Sequence, residues 1–410
     1  PYVYLLTRAA LADRGVELME AARLLGAGFW RRVFEVALPL ARPAIAAGLA
    51  LVMMETLADY GVGAFFGLNT FSTGIFKAWL VLNDALAAAQ LASVLMLVVG
   101  LLLWLERRAQ RRMRFANTRT GRKSAADSHP VRLQKGLAIF AFTLCALPVC
   151  IGFVLPVLWL VRQIWHEATY SELQLPLKAF GQWAWNSFSL AALAALLAAI
   201  LATLLAFGLR TQHWAQGKIH SKYTNQMMVG LARVASLSYA IPGGIIAIGI
   251  LIPLGIWQNQ FPQWGISVWV TGSISGMIYA YLVRFSAVAV QTMEAGYAQI
   301  SPHLDETARL LGHNRWQLLP RVHLPLLRKS LVAATLLVFV DVMKELPATL
   351  ILRPFGSDTL AVMAYQFARD ERLAEAALPS MAIVLVGLIP VLLLSRALRP
   401  TQHGNATMTH

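Results

Sequence analysis

Charge is what this sequence has least of. Asp, Glu, Lys and Arg make up only 13% of its 410 residues, against about 25% in an average soluble domain. Apolar residues make up 58%, so most soluble classes are excluded. Cysteine is nearly absent: Cys145 and Cys150 lie in one apolar run, and neither a disulfide framework nor a zinc site follows from them. Acids are the scarcer charges, 20 against 35 bases for a net charge of +15. The bases fall between apolar runs rather than on a folded face, which reads as membrane topology and not as a nucleic-acid surface. A phosphate cradle is missing too. The Gly217-Lys218 pair has Gln212 where a P-loop needs its first Gly and Ile219 where it needs Ser or Thr, so any ATP hydrolysis belongs to another polypeptide. There is no His-Glu-x-x-His and no Gly-x-Ser-x-Gly, which leaves a membrane hydrolase without a catalytic constellation. The chain opens on Pro1 and the apolar fragment Tyr2-Val3-Tyr4-Leu5-Leu6, with neither Met nor a charged leader. It is expected to begin inside a longer polypeptide.

What is abundant is Leu, Ala and Val in runs near the length that a hydrocarbon core about 30 Å thick requires. Hydropathy predicts eight complete spans, at 42–64, 86–105, 136–162, 185–208, 228–255, 266–290, 329–351 and 380–397, with residues 1–10 as the stump of another. The fold class expected is an all-α polytopic membrane protein. The segment 106–135 carries Arg107, Arg108, Arg111, Arg112, Arg114, Arg119, Arg122, Lys123, Arg132 and Lys135 against Glu106 and Asp127. Positive residues favour the cytoplasmic side, so this basic linker is placed inside, and alternation puts 209–227 inside and 164–184 and 352–378 outside.

An internal repeat runs through the chain. Glu20-Ala-Ala-Arg-Leu-Leu-Gly26 matches Glu306-Thr-Ala-Arg-Leu-Leu-Gly312. In the same register Trp30 falls on Trp316, Val36 on Val322, Leu38-Pro39-Leu40 on Leu324-Pro325-Leu326, Arg42 on Arg328 and Thr73 on Thr359. Six predicted spans separate the copies, and an even number returns the chain to the same side. Both copies are therefore expected in the cytoplasm, in two halves related by an axis along the membrane normal. The halves are read as 1–105, the C-terminal part of a first domain, and 136–398, a second domain of about six spans, with 399–410 as a tail.

Each copy reads as a polar helix, a break, a short helix, and a Pro at the foot of a span. Ser301 can cap, Pro302 suits the first helical position, and Asp305 and Glu306 suit the positive helix N-terminus. Gly26 and Gly312 can adopt φ > 0 after Leu-Leu. The product is a bent, partly apolar knob suited to docking in a groove of a soluble partner; periodicity alone equally fits an amphipathic helix in the lipid interface.

Those residues resemble the EAA loop of ABC importer permeases: Glu-Ala-Ala, Gly six residues after the Glu, then Leu-Pro at eighteen and nineteen. In that family the loop couples to an ATPase. The resemblance implies that Glu20, Ala21, Ala22, Gly26 and Pro39, with Glu306, Ala308, Gly312 and Pro325, form two coupling knobs, Thr307 standing where the motif has its middle Ala. Asp341-Val-Met-Lys-Glu-Leu-Pro-Ala-Thr-Leu-Ile-Leu-Arg-Pro-Phe and Glu371-Arg-Leu-Ala-Glu-Ala-Ala-Leu-Pro are similar to the fused two-domain permeases of ferric-iron importers, as are Glu55-Thr-Leu-Ala-Asp-Tyr-Gly and Phe71-Ser-Thr-Gly-Ile. The resemblance implies a bacterial inner-membrane permease that takes substrate from an outer binding protein and works with two ATPase copies. Those copies would use ATP and Mg, while this chain binds no cofactor. Against about six spans per half in the family, the first half holds two and a stump, so about four helices are expected to precede it. Thiamine and polyamine permeases are similar in plan and stay open as alternatives, as does an ion-coupled secondary transporter.

Charges inside spans are costly and mark candidate functional residues. Glu55 and Asp59, and likewise Asp341 and Glu345, are four apart and expected on one helix face, with Lys344 placed to neutralise Asp341. At 1.5 Å per residue they lie about 18–26 Å into the membrane. They either line a pathway, as a net negative patch for a cation, or mark helix ends, where Gly61 and Pro347 follow.

Overall fold

The computed structural model describes residues 2–116, 135–170, 176–211, 227, 230 and 238–397. Every regular element among them is helical. The chain divides into two units, the first comprising Pro1–Leu155 with Ala240–Pro242 and the second Pro156–Tyr239 with Gly243–His410. Six helical stretches are long and apolar enough to cross a membrane: Phe29–Ala58, Ala85–Arg108, Gly136–Tyr170, Leu177–Arg210, Gly243–Gln260 and Leu373–Pro390.

The first unit opens on α1 (Tyr2–Leu24), turns through residues 25–28, and continues as α2 (Phe29–Arg31), a wider π-type turn (Arg32–Ala37) and α3 (Leu38–Ala58). The short α4 (Gly61–Phe65) and α5 (Phe71–Phe76) lead to α6 (Ala85–Ala116), which carries the helix past the predicted boundary at 105 into the basic linker. α1 packs on α3, and α3 and α5 pack on α6. The remainder of the linker, 117–134, lies outside the described residues. After it come α7 (Lys135–Val149) and a π-type turn (Cys150–Val154), and α8 (Leu155–Tyr170) then leads into the second unit.

In the second unit α9 (Leu177–Arg210) buries Leu190, Ala191, Ala194, Ala195, Ala198, Ala199, Ala202, Ala206 and Phe207 along one stripe. Spacings of three and four residues place these on one face, and their small size lets neighbouring backbones come close. Against that face pack α12 (Ser275–Ala298) and α15 (Leu324–Met343), which also pack on each other. Neither is among the six apolar stretches. Both sit inside a three-helix centre, where a helix can carry Arg284 or Asp341 without presenting it to lipid. α10 (Gly243–Gln260) and α11 (Ile266–Thr271) precede α12. α13 (Pro302–Leu310) and α14 (Arg315–Leu318) precede α15, and α16 (Pro347–Leu352), α17 (Leu360–Arg369) and α18 (Leu373–Ala397) close the unit.

The repeat is visible in the backbone. Helix, glycine turn, short helix, π-type turn and long helix recur as α1–α3 and as α13–α15, and a break and a short helix follow each, α4 in one and α16 in the other. One detail of the register changes: Thr70, not Thr73, caps the helix equivalent to the one Thr359 caps. The second loop is longer and shifts the pairing beyond it.

Four predicted spans need correction. The first ends at Ala58, because Asp59 is extended (φ −71°, ψ 124°). The fifth is broken at 241–242, between a 3-10 turn (Ser238–Ala240) and the helix that starts at Gly243 after Pro242; residues 228, 229 and 231–237 lie outside the described residues. The sixth is interrupted between Thr271 and Ser275. There Gly272 and Gly276 sit where a Cβ would stand 2.5 Å from the carbonyl oxygens of Val268 and Val270. The seventh stops at Met343, since Pro347 offers no N–H to continue it and restricts the residue before it. Hydropathy reports apolar length and is blind to such breaks.

Candidate functional site

The two loops bearing the Glu-x-Ala motifs close in the same way. Leu25 N–H donates to Ala21 O at 3.1 Å and Ala27 N–H to Ala22 O at 3.0 Å; Leu311 N–H donates to Thr307 O at 3.1 Å and His313 N–H to Ala308 O at 3.1 Å. Such closure needs a left-handed residue between, and Gly26 and Gly312 both take φ of +80°. Large apolar residues are turned outward at both turns: Leu24 is 89% exposed and Leu25 87%, Leu310 88% and Leu311 73%. Trp30 and Trp316 are exposed beside them.

The motif residues divide between the outer and inner faces. Glu20, Ala21, Gly26, Glu306, Gly312 and Pro325 are exposed, and Ala22 and Pro39 are half-buried. Ala308 is buried, so it faces the protein rather than a partner. Glu306 lies 3.2 Å from His303 on the outer face. The Ser301 hydroxyl accepts from His303 N–H at 3.4 Å, as a helix cap does.

Beneath the second loop lies a polar cluster that sequence reading missed. Asp305 turns inward, with Oδ2 2.6 Å from Arg210 Nε and Oδ1 3.0 Å from His323 Nε2. Arg210 also donates from Nη2 to Ile300 O at 3.1 Å. His323 is fully buried, its Nδ1 3.2 Å from the Tyr297 hydroxyl. A carboxylate only accepts, so Nε2 carries a proton toward Asp305, while Nδ1 and the Tyr297 hydroxyl share the other hydrogen bond. Asp305 was legible only as an acid at a helix start, since its two partners, Arg210 and His323, come from other elements.

The membrane charges are arranged differently from the expected shared faces. Asp59 and Glu345 stand in the breaks after α3 and α15, not on the helices. Asp59 Oδ1 accepts from Val62 N–H at 3.4 Å and Glu345 Oε1 from Ala348 N–H at 3.0 Å. Each therefore caps the short helix that follows. Lys344 pairs with Asp341 at 3.0 Å, as expected. Glu345 is buried against Arg284, Oε2 to Nη1 at 2.6 Å, with side chains 4% and 10% exposed. Beside them the Tyr281 and Thr349 hydroxyls share a hydrogen bond of 2.7 Å. Asp341 and Glu345 are thus each matched by a base, and the pair does not form the expected net negative patch. Glu55 is half-buried and Asp59 exposed.

A helical protein with stretches long and apolar enough to cross a membrane, in two repeat-related halves each bearing an outward-turned apolar loop and a charged helix break, defines the transmembrane subunit of a transporter. Residues 1–115 and 229–402 match the family described as binding-protein-dependent transport system inner membrane component. The chain belongs to that family and is a multi-pass inner-membrane permease of the ABC-importer type. It is 25% identical over 404 residues to the Fe(3+)-transport system permease protein FbpB 2 of Haemophilus influenzae, covering 97% of this chain and 74% of that one. Over 209 residues it is 29% identical to the putative 2-aminoethylphosphonate transport system permease protein PhnV of Salmonella typhimurium, covering 50% of this chain and 69% of that one. Among solved structures, a bacterial alginate ABC transporter in complex with an alginate pentasaccharide-bound periplasmic protein aligns with a TM-score of 0.50. That alignment has 15% identity and covers 66% of this chain and 97% of that chain; it speaks for the fold.

Proposed function

We propose that this chain is the permease subunit of an ATP-driven ferric-iron importer, receiving cargo from a binding protein on the outer side and passing it to the cytoplasm. The observation that carries the coupling half of this reading is the doubled loop, with equal glycine geometry and four outward leucines. Two such knobs have work to do if two ATPase copies dock there, and none in an ion-gradient carrier. Iron rests on the similarity that runs through nearly the whole chain to a permease named for Fe(3+) transport. Closure of the ATPases on ATP and Mg would draw the knobs together and rock the halves, so that a midplane path opens alternately outward and inward.

In this reading Glu20, Ala21, Gly26, Glu306 and Gly312 meet the ATPase, while Ala22, Ala308, Pro39 and Pro325 shape the loops behind them. The pathway acids are Glu55, Asp59 and Asp341, with Lys344 and Glu345 holding the break around which the path is built. The basic linker and both loops lie in the cytoplasm.

The decisive experiment is site-directed crosslinking from positions beside Gly26 and Gly312 to a co-expressed ATPase, with iron uptake measured in the same cells. Crosslinks from both loops are expected. An assembled complex with no crosslink from either loop would overturn the coupling assignment, and uptake of another solute in place of iron would overturn the substrate.

A further inference from the structure

The repeat-related loops are joined to their membrane helices in different ways. In the first unit α1 runs unbroken from Tyr2 to Leu24, so the loop helix and the helix packed on α3 are one rod. In the second unit α12 ends at Ala298 and α13 starts at Pro302. Pro302 stands where the first half has Val16, and a proline there ends one helix and starts another. A broken rod does not carry rotation through its backbone hydrogen bonds.

The polar cluster spans that break. Asp305, on the first turn of α13, is held by Arg210 at the end of α9 and by His323 at the foot of α15, and His323 is held in turn by Tyr297 on the last turn of α12. Phe207 packs its ring on His323 at 5.6 Å and on Trp316 at 5.8 Å. The loop helix is thus fastened to each of the three mutually packed helices of its unit. At the register positions of Asp305, His323 and Tyr297 the first half has Met19, Ala37 and Leu11, none of which can make such bonds.

We infer that this clasp substitutes for helical continuity, and that Asp305 is the positioning residue through which the second coupling loop moves the membrane helices. The inference rests on the coupling assignment above. It makes the two loops unequal: the first transmits by its backbone, the second by a part-buried ion pair.

The test uses the full-length permease with its ATPase and binding protein in proteoliposomes, reading substrate imported per ATP hydrolysed. Asp305→Asn is expected to lower that ratio about tenfold, with the ATPase still bound and hydrolysing. Met19→Asn should leave it within about twofold. Arg210→Met should match Asp305→Asn, and the double variant should be no worse than either single one, because both break the same link. A parent-like ratio for Asp305→Asn, losses that multiply in the double variant, or an equal loss for Met19→Asn would overturn the inference. If Asp305→Asn does not assemble, Tyr297→Phe and His323→Gln, which leave the Arg210–Asp305 pair in place, decide: a lowered ratio in both supports the clasp and a parent ratio in both refutes it. Crosslinking from beside Gly312 separates the two levels. No crosslink defeats the coupling assignment itself, whereas a normal crosslink with a parent ratio defeats only the clasp.

Discussion

The buried pair between Arg284 and Glu345 makes the sharpest demand on stability. Glu345→Gln keeps an oxygen to accept from Ala348 N–H but leaves Arg284 charged, with its side chain only 10% exposed and its nearest counter-charge gone. Removing one partner of such a pair costs about 3–5 kcal/mol, because the remaining charge stays buried and uncompensated. Arg284→Met should cost a similar amount by stranding Glu345. The double variant Arg284→Met with Glu345→Gln should recover much of the loss, since neither charge remains to be solvated. Asp341→Asn provides the contrast: Lys344 is 48% exposed and can turn to water, so the change should cost about 0–1 kcal/mol. Gly243→Ala probes the clamp without touching either charge, as its Cβ would stand 2.3 Å from Glu345 Oε1 and 2.6 Å from Arg284 Nη1. The assay is equilibrium unfolding in bilayer discs, run as a double-mutant cycle. Single variants at Arg284, Glu345 and Gly243 that all stay within about 1 kcal/mol of the parent would refute the reasoning, as would additive losses in the double variant.

Other outcomes follow from particular residues. Gly26→Val and Gly312→Val should each lose uptake while inserting normally. Among the described residues a Cβ at either position would meet no non-neighbouring atom within 4 Å, but a β-branched residue at φ of +80° is strained by about 1–2 kcal/mol; Asn should be tolerated better, read as uptake per ATP hydrolysed. Gly296→Ala should destabilise the α12–α15 crossing, because its Cβ would meet Ser330 Cβ at 2.8 Å, and Ser330→Gly in the same chain should restore the melting point. Glu55→Gln should reduce cation uptake with stability unchanged, which separates a pathway role from a helix-end role. With Cys145 and Cys150 replaced, cysteines in 106–135 and at Ser301 should resist impermeant thiol reagents in intact cells while those at Ser171 or Ser357 react; labelling of the linker from outside would overturn the orientation.

How much was legible beforehand depended on the range of the cause. The glycine turns could be read because the requirement is local: a chain that reverses after Leu-Leu with i to i−5 closure needs a left-handed residue, and Gly26 and Gly312 are where it falls. The Lys344–Asp341 pair could be read because helix geometry brings residues three apart together. The relation of the two halves was written in the register of Glu20-to-Arg42 on Glu306-to-Arg328.

The sequence by itself therefore determined the class: apolar runs too long for a soluble core, a doubled loop, and no nucleotide cradle. Tertiary structure alone decided which charges far apart in the chain meet. Glu345 lies 61 residues from Arg284, and Asp305 lies 95 from Arg210, so no periodicity links them. They meet because Ala-rich faces let α9, α12 and α15 pack closely and bring residues distant in the chain within hydrogen-bond reach. The same packing decided that Glu345 is neutralised rather than offered to a cation, since a charge drawn out of water must be paired where it is buried.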